Sequence, residues 1–270
     1  MRNMLRIFSY NILLFGFILV AGCGPSSVKS LKSESDKTDQ PHQEGILQGK
    51  APTAEVATST VAIYNTQSTE LCSAVIVSEN AALTAAHCTT NDFKTLIVIF
   101  GTKIKKGEST ARKVVSVAIP QKRILNKFND QDTADLALVF FEGEMPGNYE
   151  PANFVFNEKQ FLKGQVISVA GFGVTNGSTM IGAGTLRESQ VVISTQLGKS
   201  EFLIDQTTGY GACQGDSGGP ALADNGTTKL VWGIISRGHQ DDSMNCQRQA
   251  VVTSIVPYLD WINERLSNVQ

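Results

Sequence analysis

An all-β protein is what this sequence predicts, and three observations carry the reading. Glycine supplies 24 of the 270 residues, long helix-like runs are few, and short apolar stretches rich in β-branched residues recur between polar turns. The stretches lie at 61–64, 71–77, 81–85, 96–100, 114–119 and 136–141, then at 165–170, 186–194, 202–205, 221–223, 230–236 and 250–255. Their lengths suit strands, and their regular spacing suits a sandwich or barrel. Segment 257–266 differs: Leu259, Ile262 and Leu266 recur at helical spacing, with Pro257 placed for the first turn of an amphipathic terminal helix. The runs Asn176-Gly177-Ser178 and Asn225-Gly226-Thr227 match glycosylation sequons but are read as Asn-Gly turns, the stronger local signal. A hydrophobic fraction of 41% allows a real core in one large domain or two small ones. The net charge of −2, with no basic stripe interleaved with aromatics, gives no case for nucleic acid.

Arg2 and Arg6 precede an apolar run at 12–20 that ends in Val20-Ala21-Gly22-Cys23. A basic start, a short apolar run and small residues describe an export signal over 1–22. The run falls short of the ~20 residues that a membrane span needs, and Asn11 interrupts its start. Val-Ala-Gly-Cys resembles the lipobox of bacterial lipoproteins, which implies lipid on Cys23 and a membrane held through it; a buried or disulfide-bonded Cys23 is the plainer alternative. At about 0.8 kcal/mol per buried methylene, several acyl chains would anchor the protein stably. Residues 24–45 hold almost no apolar side chains, so 23–45 reads as a lipidated flexible tether, with His42 a solvated part of it.

Chemistry concentrates in Gly215-Asp216-Ser217-Gly218-Gly219-Pro220. Ser217 carries a hydroxyl able to attack a carbonyl, Gly215 leaves the neighbouring N–H groups accessible, and Asp216 needs a cationic partner if buried. A glycine-rich turn between strands is the plainer reading. Serine alone is a weak nucleophile, so the sharper reading demands a histidine base and a carboxylate that orients it. Thr84-Ala85-Ala86-His87-Cys88 offers the histidine, which would otherwise be a polar strand end. Asp135 heads a wholly apolar strand, where a carboxylate is costly unless hydrogen-bonded; the alternative is a surface cap.

In the order His87, Asp135, Ser217, these motifs resemble the trypsin/chymotrypsin-type serine peptidases over about 46–270. The resemblance implies two six-stranded antiparallel Greek-key β-barrels, roughly 46–155 and 156–256, with a catalytic cleft between them and a C-terminal helix at 257–266. It implies His87 as base, Asp135 as its orienting carboxylate, Ser217 as nucleophile, and the N–H groups of Gly215 and Ser217 as oxyanion hole. Gly171-Phe172-Gly173 is similar to the family's Gly-Trp-Gly. Gly233-Ile234-Ile235-Ser236-Arg237-Gly238 resembles the strand lining the substrate channel, with Ser236 matching the serine that supports the carboxylate. Arg237 stands where the family has tryptophan, and either contacts acidic substrate groups or reaches to solvent. Trypsin-like members carry an aspartate six positions before the nucleophile; here that position is Gly211, followed by Ala212. With Gly238 and Ala250 as pocket walls, this implies cleavage after apolar residues rather than basic ones. His239 is read as a loop residue at the pocket's edge, with an acidic preference involving it as the alternative.

The family's bridges imply that Cys72 pairs with Cys88 and Cys213 with Cys246, leaving Cys23 for lipid and requiring an oxidising compartment, in keeping with export. Ile46-Leu47-Gln48-Gly49 resembles the N-terminus that activating cleavage creates in the family, Ile-Val-Gly-Gly, with Gln48 departing from it. It implies that a freed Ile46 ammonium pairs with Asp216; otherwise Ile46 merely begins a strand. The expectation is an exported, monomeric serine endopeptidase acting on proteins or peptides, without cofactor or metal. The alternative is a latent or non-catalytic lipid-anchored binding protein on the same scaffold.

Overall fold

The computed structural model describes residues 46–89, 92–120, 134–156, 161–239 and 245–268. The readings made on 1–45, including the signal, Cys23, the tether and His42, lie outside the described residues. In the first half, β1 (Thr60–Asn65), β2 (Leu71–Ser78), β3 (Ala81–Thr84), β4 (Leu96–Ile99), β5 (Ala111–Ala118) and β6 (Ala137–Phe141) close into a barrel in the spatial order 1-2-3-6-5-4. In the second, β7 (Val166–Gly171), β8 (Arg187–Leu197), β9 (Glu201–Asp205), β10 (Pro220–Asp224), β11 (Lys229–Gly238) and β12 (Gln249–Ser254) close in the order 10-11-12-9-8-7. All pairings within both barrels are antiparallel. Closure leaves neither sheet with a free edge.

Packing explains why so many strands read as unbroken apolar runs. Successive side chains of a strand point to opposite faces. In β6, Val139 and Phe141 join a core drawn from the first barrel alone, with Ile63, Ile76, Val98 and Phe100. The alternate residues Leu138 and Phe140 join a second core that mixes both barrels, with Val75, Leu83, Ala170, Phe172, Leu222 and Ile234. A third core, built around Trp232, Phe202 and Phe161, fills the second barrel and takes in Ile46. Strands buried on both faces lose the polar alternation of a half-solvated sheet. The mixed core is what fixes one barrel against the other, and the candidate site lies along it.

Boundaries differ where burial is one-sided or a helix is very short. β5 begins at Ala111, ahead of the expected 114, because its Arg112 and Lys113 belong to a strand with an exposed face. The six-residue helix α1 (Ala54–Ser59) was not expected; nothing caps its N-terminus with a side chain. The terminal helix α2 (Leu259–Ser267) starts later than 257, because Pro257 sits in a preceding 3₁₀ turn, Val256–Tyr258. Both Asn-Gly turns form: the Asn176 carboxamide oxygen accepts from the N–H groups of Ser178 and Thr179, and that of Asn225 accepts from those of Thr227 and Thr228. No helix among the described residues is long and apolar enough to cross a membrane.

Candidate active site

His87 sits on a 3₁₀ turn, Ala86–Thr89, directly after β3, and a disulfide between Cys72 on β2 and Cys88 ties that turn to the neighbouring strand. Its ring Nδ1 lies 2.8 Å from Asp135 Oδ2, and its backbone N–H donates to Asp135 Oδ1 at 2.9 Å. Asp135 occupies a tight turn at the head of β6, where the Leu136 N–H donates back to the Ala134 carbonyl at 2.7 Å. The Ser236 hydroxyl donates to Asp135 Oδ2 at 2.6 Å. Burial pushes the Asp135 carboxyl upward, but the hydrogen bonds and charge of His87 and the Ser236 hydroxyl together outweigh it and hold the group at about 2. An ionised carboxylate bonded twice to one histidine fixes both the ring's orientation and the site of its Nδ1 proton.

Ser236 owes its position to an irregularity in β11. Ile235 pairs with Val252 and Arg237 pairs with the adjacent Val251, so Ser236 is the extra residue of a bulge. Its carbonyl, released from the ladder, accepts the Ser217 hydroxyl at 3.2 Å while its own hydroxyl reaches Asp135. The Ser217 loop is stitched to the same strand: the Gly218 N–H donates to the Ile235 carbonyl at 2.7 Å, and the Ile235 N–H donates to the Gly219 carbonyl at 2.9 Å.

The loop before Ser217 has a defined peptide orientation. The Val174 N–H holds the Gln214 carbonyl at 2.9 Å. In a trans peptide the N–H points opposite to the carbonyl, so the Gly215 N–H faces away from Val174. Gly215 has φ +96°, and a Cβ there would stand 2.8 Å from Gly173 Cα, so only glycine fits. Ser73 on β2 completes the frame: its hydroxyl donates to the Gly215 carbonyl and accepts from the Phe172 N–H, both at 2.9 Å. Sequence reading passed over Ser73; its one signal was a hydroxyl inside an otherwise apolar run.

Asp216 is fully buried, and its two carboxyl oxygens accept from the N–H groups of Gly173 and Cys213, each at 2.8 Å. Burial pushes its carboxyl up to about 7, an effect partly offset by those two N–H groups and by the charge of Arg187. A Cβ on Gly173 would lie 2.6 Å from Asp216 Cγ, so the Gly-Phe-Gly segment is glycine because the carboxyl packs on it. Ile46 is fully buried in the second barrel's core with φ +34°, a strained value for a β-branched residue. Its neighbour Leu47 donates to the Gly211 carbonyl at 2.9 Å. Arg187, buried beside the turn at Gly49, was not anticipated from sequence; nothing in a lone arginine at a strand start marks it.

A cavity of about 280 Å³ opens beside Ser217. Of the expected pocket residues, Ala212, Arg237, Gly238 and Ala250 line it, together with Cys213, Gln214, Ile235, Cys246 and His239. His239, read as a loop residue, is thus part of the wall. Gly211 and Ser236 are not among the lining residues, and both have a physical reason to lie behind the wall. The Ser236 side chain is directed to Asp135, and Gln206 occupies the space that a side chain on Gly211 would need. The fully buried Gln206 amide donates to the carbonyls of Ala212 and Cys246 at 3.1 and 2.8 Å and accepts from the Ala212 N–H at 2.7 Å. No carboxylate lines the cavity among the described residues.

Arg237 makes a fork-to-fork pair with Glu201, at 2.9 and 2.8 Å, and the Glu201 side chain is fully buried. Arg237 is thus held by a buried protein carboxylate while its partly exposed side chain also lines the cavity. Across Ser217 a second cleft, about 350 Å³, is lined by Glu70, Cys72, His87, Cys88, Gln214 and Gly215 among others. Cys213 is bonded to Cys246, the second of the two expected bridges. The ligand atoms of Cys72, His87 and Cys88 cluster within 4.8 Å, but both sulfurs are in the disulfide and offer no thiolate to a metal.

Comparison with known proteins agrees with this architecture. The chain is 34% identical over 110 residues to a chymotrypsin of Phaedon cochleariae, an alignment that spans 37% of this chain and 37% of that relative. The family model described as Trypsin matches residues 46–262. That match runs from the buried Ile46 to the buried Ile262 of the terminal helix and takes in both barrels: the chain belongs to the trypsin family.

Proposed function

We propose that the protein is a serine endopeptidase that cleaves peptide bonds through an acyl-enzyme. The observation that carries the reading is the bonded array from His87 through Asp135 to Ser236, with Ser217 on the Ser236 carbonyl. Ser217 Oγ attacks the carbonyl carbon as its proton passes to His87 Nε2. The oxyanion is received by the N–H groups of Gly215 and Ser217, the imidazolium is stabilised by ionised Asp135, and the His87 proton then leaves with the amine. Water repeats the cycle on the acyl-serine and restores the hydroxyl. Substrate side chains enter the cavity beside Ala212, Gly238 and Ala250, where no carboxylate among the described residues lines the wall, so apolar side chains are favoured over lysine or arginine.

The wider biology belongs to the same proposal. The residues at 1–23 support export and lipid attachment at Cys23, and the two disulfides suit an oxidising compartment. Cleavage before Ile46 would release the domain from the tether and let the new ammonium approach Asp216. A fluorophosphonate tests the chemistry: it should label Ser217 in a chain beginning at Ile46 and fail to label Ser217→Ala. Absence of label on the unaltered serine would instead favour a binding protein on this scaffold. A peptide library digested by the same chain should show cuts after apolar residues, and a dominant preference for basic ones would refute the pocket reading.

A further inference from the structure

The bulge that delivers Ser236 has given up a ladder position, so something else must hold it. Arg237 Nη1 lies 3.2 Å from Ser236 Oγ and 2.9 Å from Glu201 Oε1, while Nη2 lies 2.8 Å from Glu201 Oε2. Arg237 stands on β11 and Glu201 on β9; these strands do not pair with each other, because β12 lies between them. The ion pair therefore straddles β12 and ties the bulged end of β11 to the far strand. Glu201 and Ser236 are fully buried and the Arg237 side chain is 29% exposed, so the ion pair is less screened than a surface pair.

A hydroxyl has one hydrogen to give. A guanidinium N–H donated into the oxygen of Ser236 occupies one of its lone pairs and directs the hydroxyl hydrogen onto Asp135. The same restraint fixes the Ser236 carbonyl, the acceptor for the Ser217 hydroxyl. We propose that Arg237 and Glu201 form a positioning clamp for Ser236 that sets the carboxylate and the nucleophile together. Arg237 is a positioning residue here, acting through Ser236 and not on substrate. The inference rests on the reading of the site as a serine peptidase.

The test measures the rate at which a small fluorophosphonate labels Ser217 in the full chain, intact and after cleavage ahead of Ile46. In Arg237→Met/Glu201→Gln both charges go together, so neither is stranded. The rate should fall about tenfold, as for loss of one charge-assisted hydrogen bond. Turnover of a short ester should lose kcat with KM little changed. In a Ser236→Ala background the double substitution should cause a smaller further loss, because the hydroxyl contact is already gone and only the tie on the bulged backbone is left to lose. Arg237→Lys guards against misfolding of the double variant: an ammonium keeps a charge beside Glu201 but lacks the planar fork that serves both carboxylate oxygens and Ser236 at once, and should label more slowly than the unaltered chain. Labelling of these variants at the unaltered rate would overturn the clamp. So would a loss confined to KM, or one that persists undiminished with Ser236→Ala. No labelling of the unaltered chain, intact or cleaved, would defeat the peptidase reading itself, and the clamp with it.

Discussion

Gly211 has φ +141°, and any side chain on it would run into the buried Gln206 amide. This makes a simple specificity exchange fail. Gly211→Asp would introduce the acidic group that trypsin-like members carry, yet it would also force a strained backbone angle and displace a satisfied buried amide. The expected result is a destabilised protein with no gain in cleavage after lysine or arginine, measured by melting temperature and by paired peptide substrates. A well-folded Gly211→Asp that prefers basic residues would show that Gln206 yields easily. Asp135 presents the opposite case, a costly group fully compensated. Its folded-state value of about 2 is below the ordinary 3.8, so its contribution to stability is present above that range and is lost as pH falls toward 2. Asp135→Asn should accordingly lower the melting temperature at neutral pH, where that contribution is present, and lower kcat by about 10⁴, since an amide cannot fix the histidine tautomer. Ser217→Ala should lower it by about 10⁵–10⁶.

Elements carry the residues into place through contacts between the barrels. Ser73 on β2 bonds through its hydroxyl to Phe172 and Gly215, and through its N–H to the Ser217 carbonyl at 2.8 Å. Ser73→Ala would leave the buried Phe172 N–H without that partner, at a cost of about 1–3 kcal/mol, and would release the partly buried Gly215 carbonyl. The expected outcome is a lower melting temperature together with a drop in kcat, since the Gly215 peptide borders the proposed oxyanion site; loss of stability without loss of kcat would confine Ser73 to packing. This contact also marks what the sequence could convey. His87, Asp135 and Ser217 were legible because each stands in a local motif whose residue types are unusual together. The strands were legible because burial on both faces leaves long apolar runs. Ser73, Gln206, Arg187 and Glu201 were not, because each acts on residues far away in the chain and none has a distinctive neighbour. The Ser236 bulge was hidden for a related reason: register belongs to a pair of strands, and Ile234-Ile235-Ser236-Arg237 reads alike with or without it.

On the scale of the whole molecule, the question is how a bond before Ile46 reaches a serine 171 positions on. Ile46 already fills the second barrel's core in the uncut chain, and Leu47 and Lys50 already form bridges to Gly211 and Glu188. Docking of the segment therefore does not wait for the proposed cleavage; what that cleavage would supply is charge and freedom. Asp216, next to Ser217, is buried with two N–H donors and the influence of Arg187, and burial still leaves its carboxyl near 7. A group raised above its ordinary value stabilises the fold in its neutral form, and that contribution is lost as pH rises through about 7. An ammonium on Ile46 would reverse the balance by favouring the carboxylate, and cutting the preceding peptide would also release the strain of φ +34°. Intact chain carrying Ser217→Ala, which prevents self-cleavage, should lose melting temperature as pH rises from about 4 to 7. The chain that begins at Ile46, with the same substitution, should lose less, so that the gap between the two widens toward neutrality. Parallel curves would mean that the new terminus never reaches Asp216, and that the oxyanion loop owes its order to the Ser73, Val174 and Gly173 contacts alone.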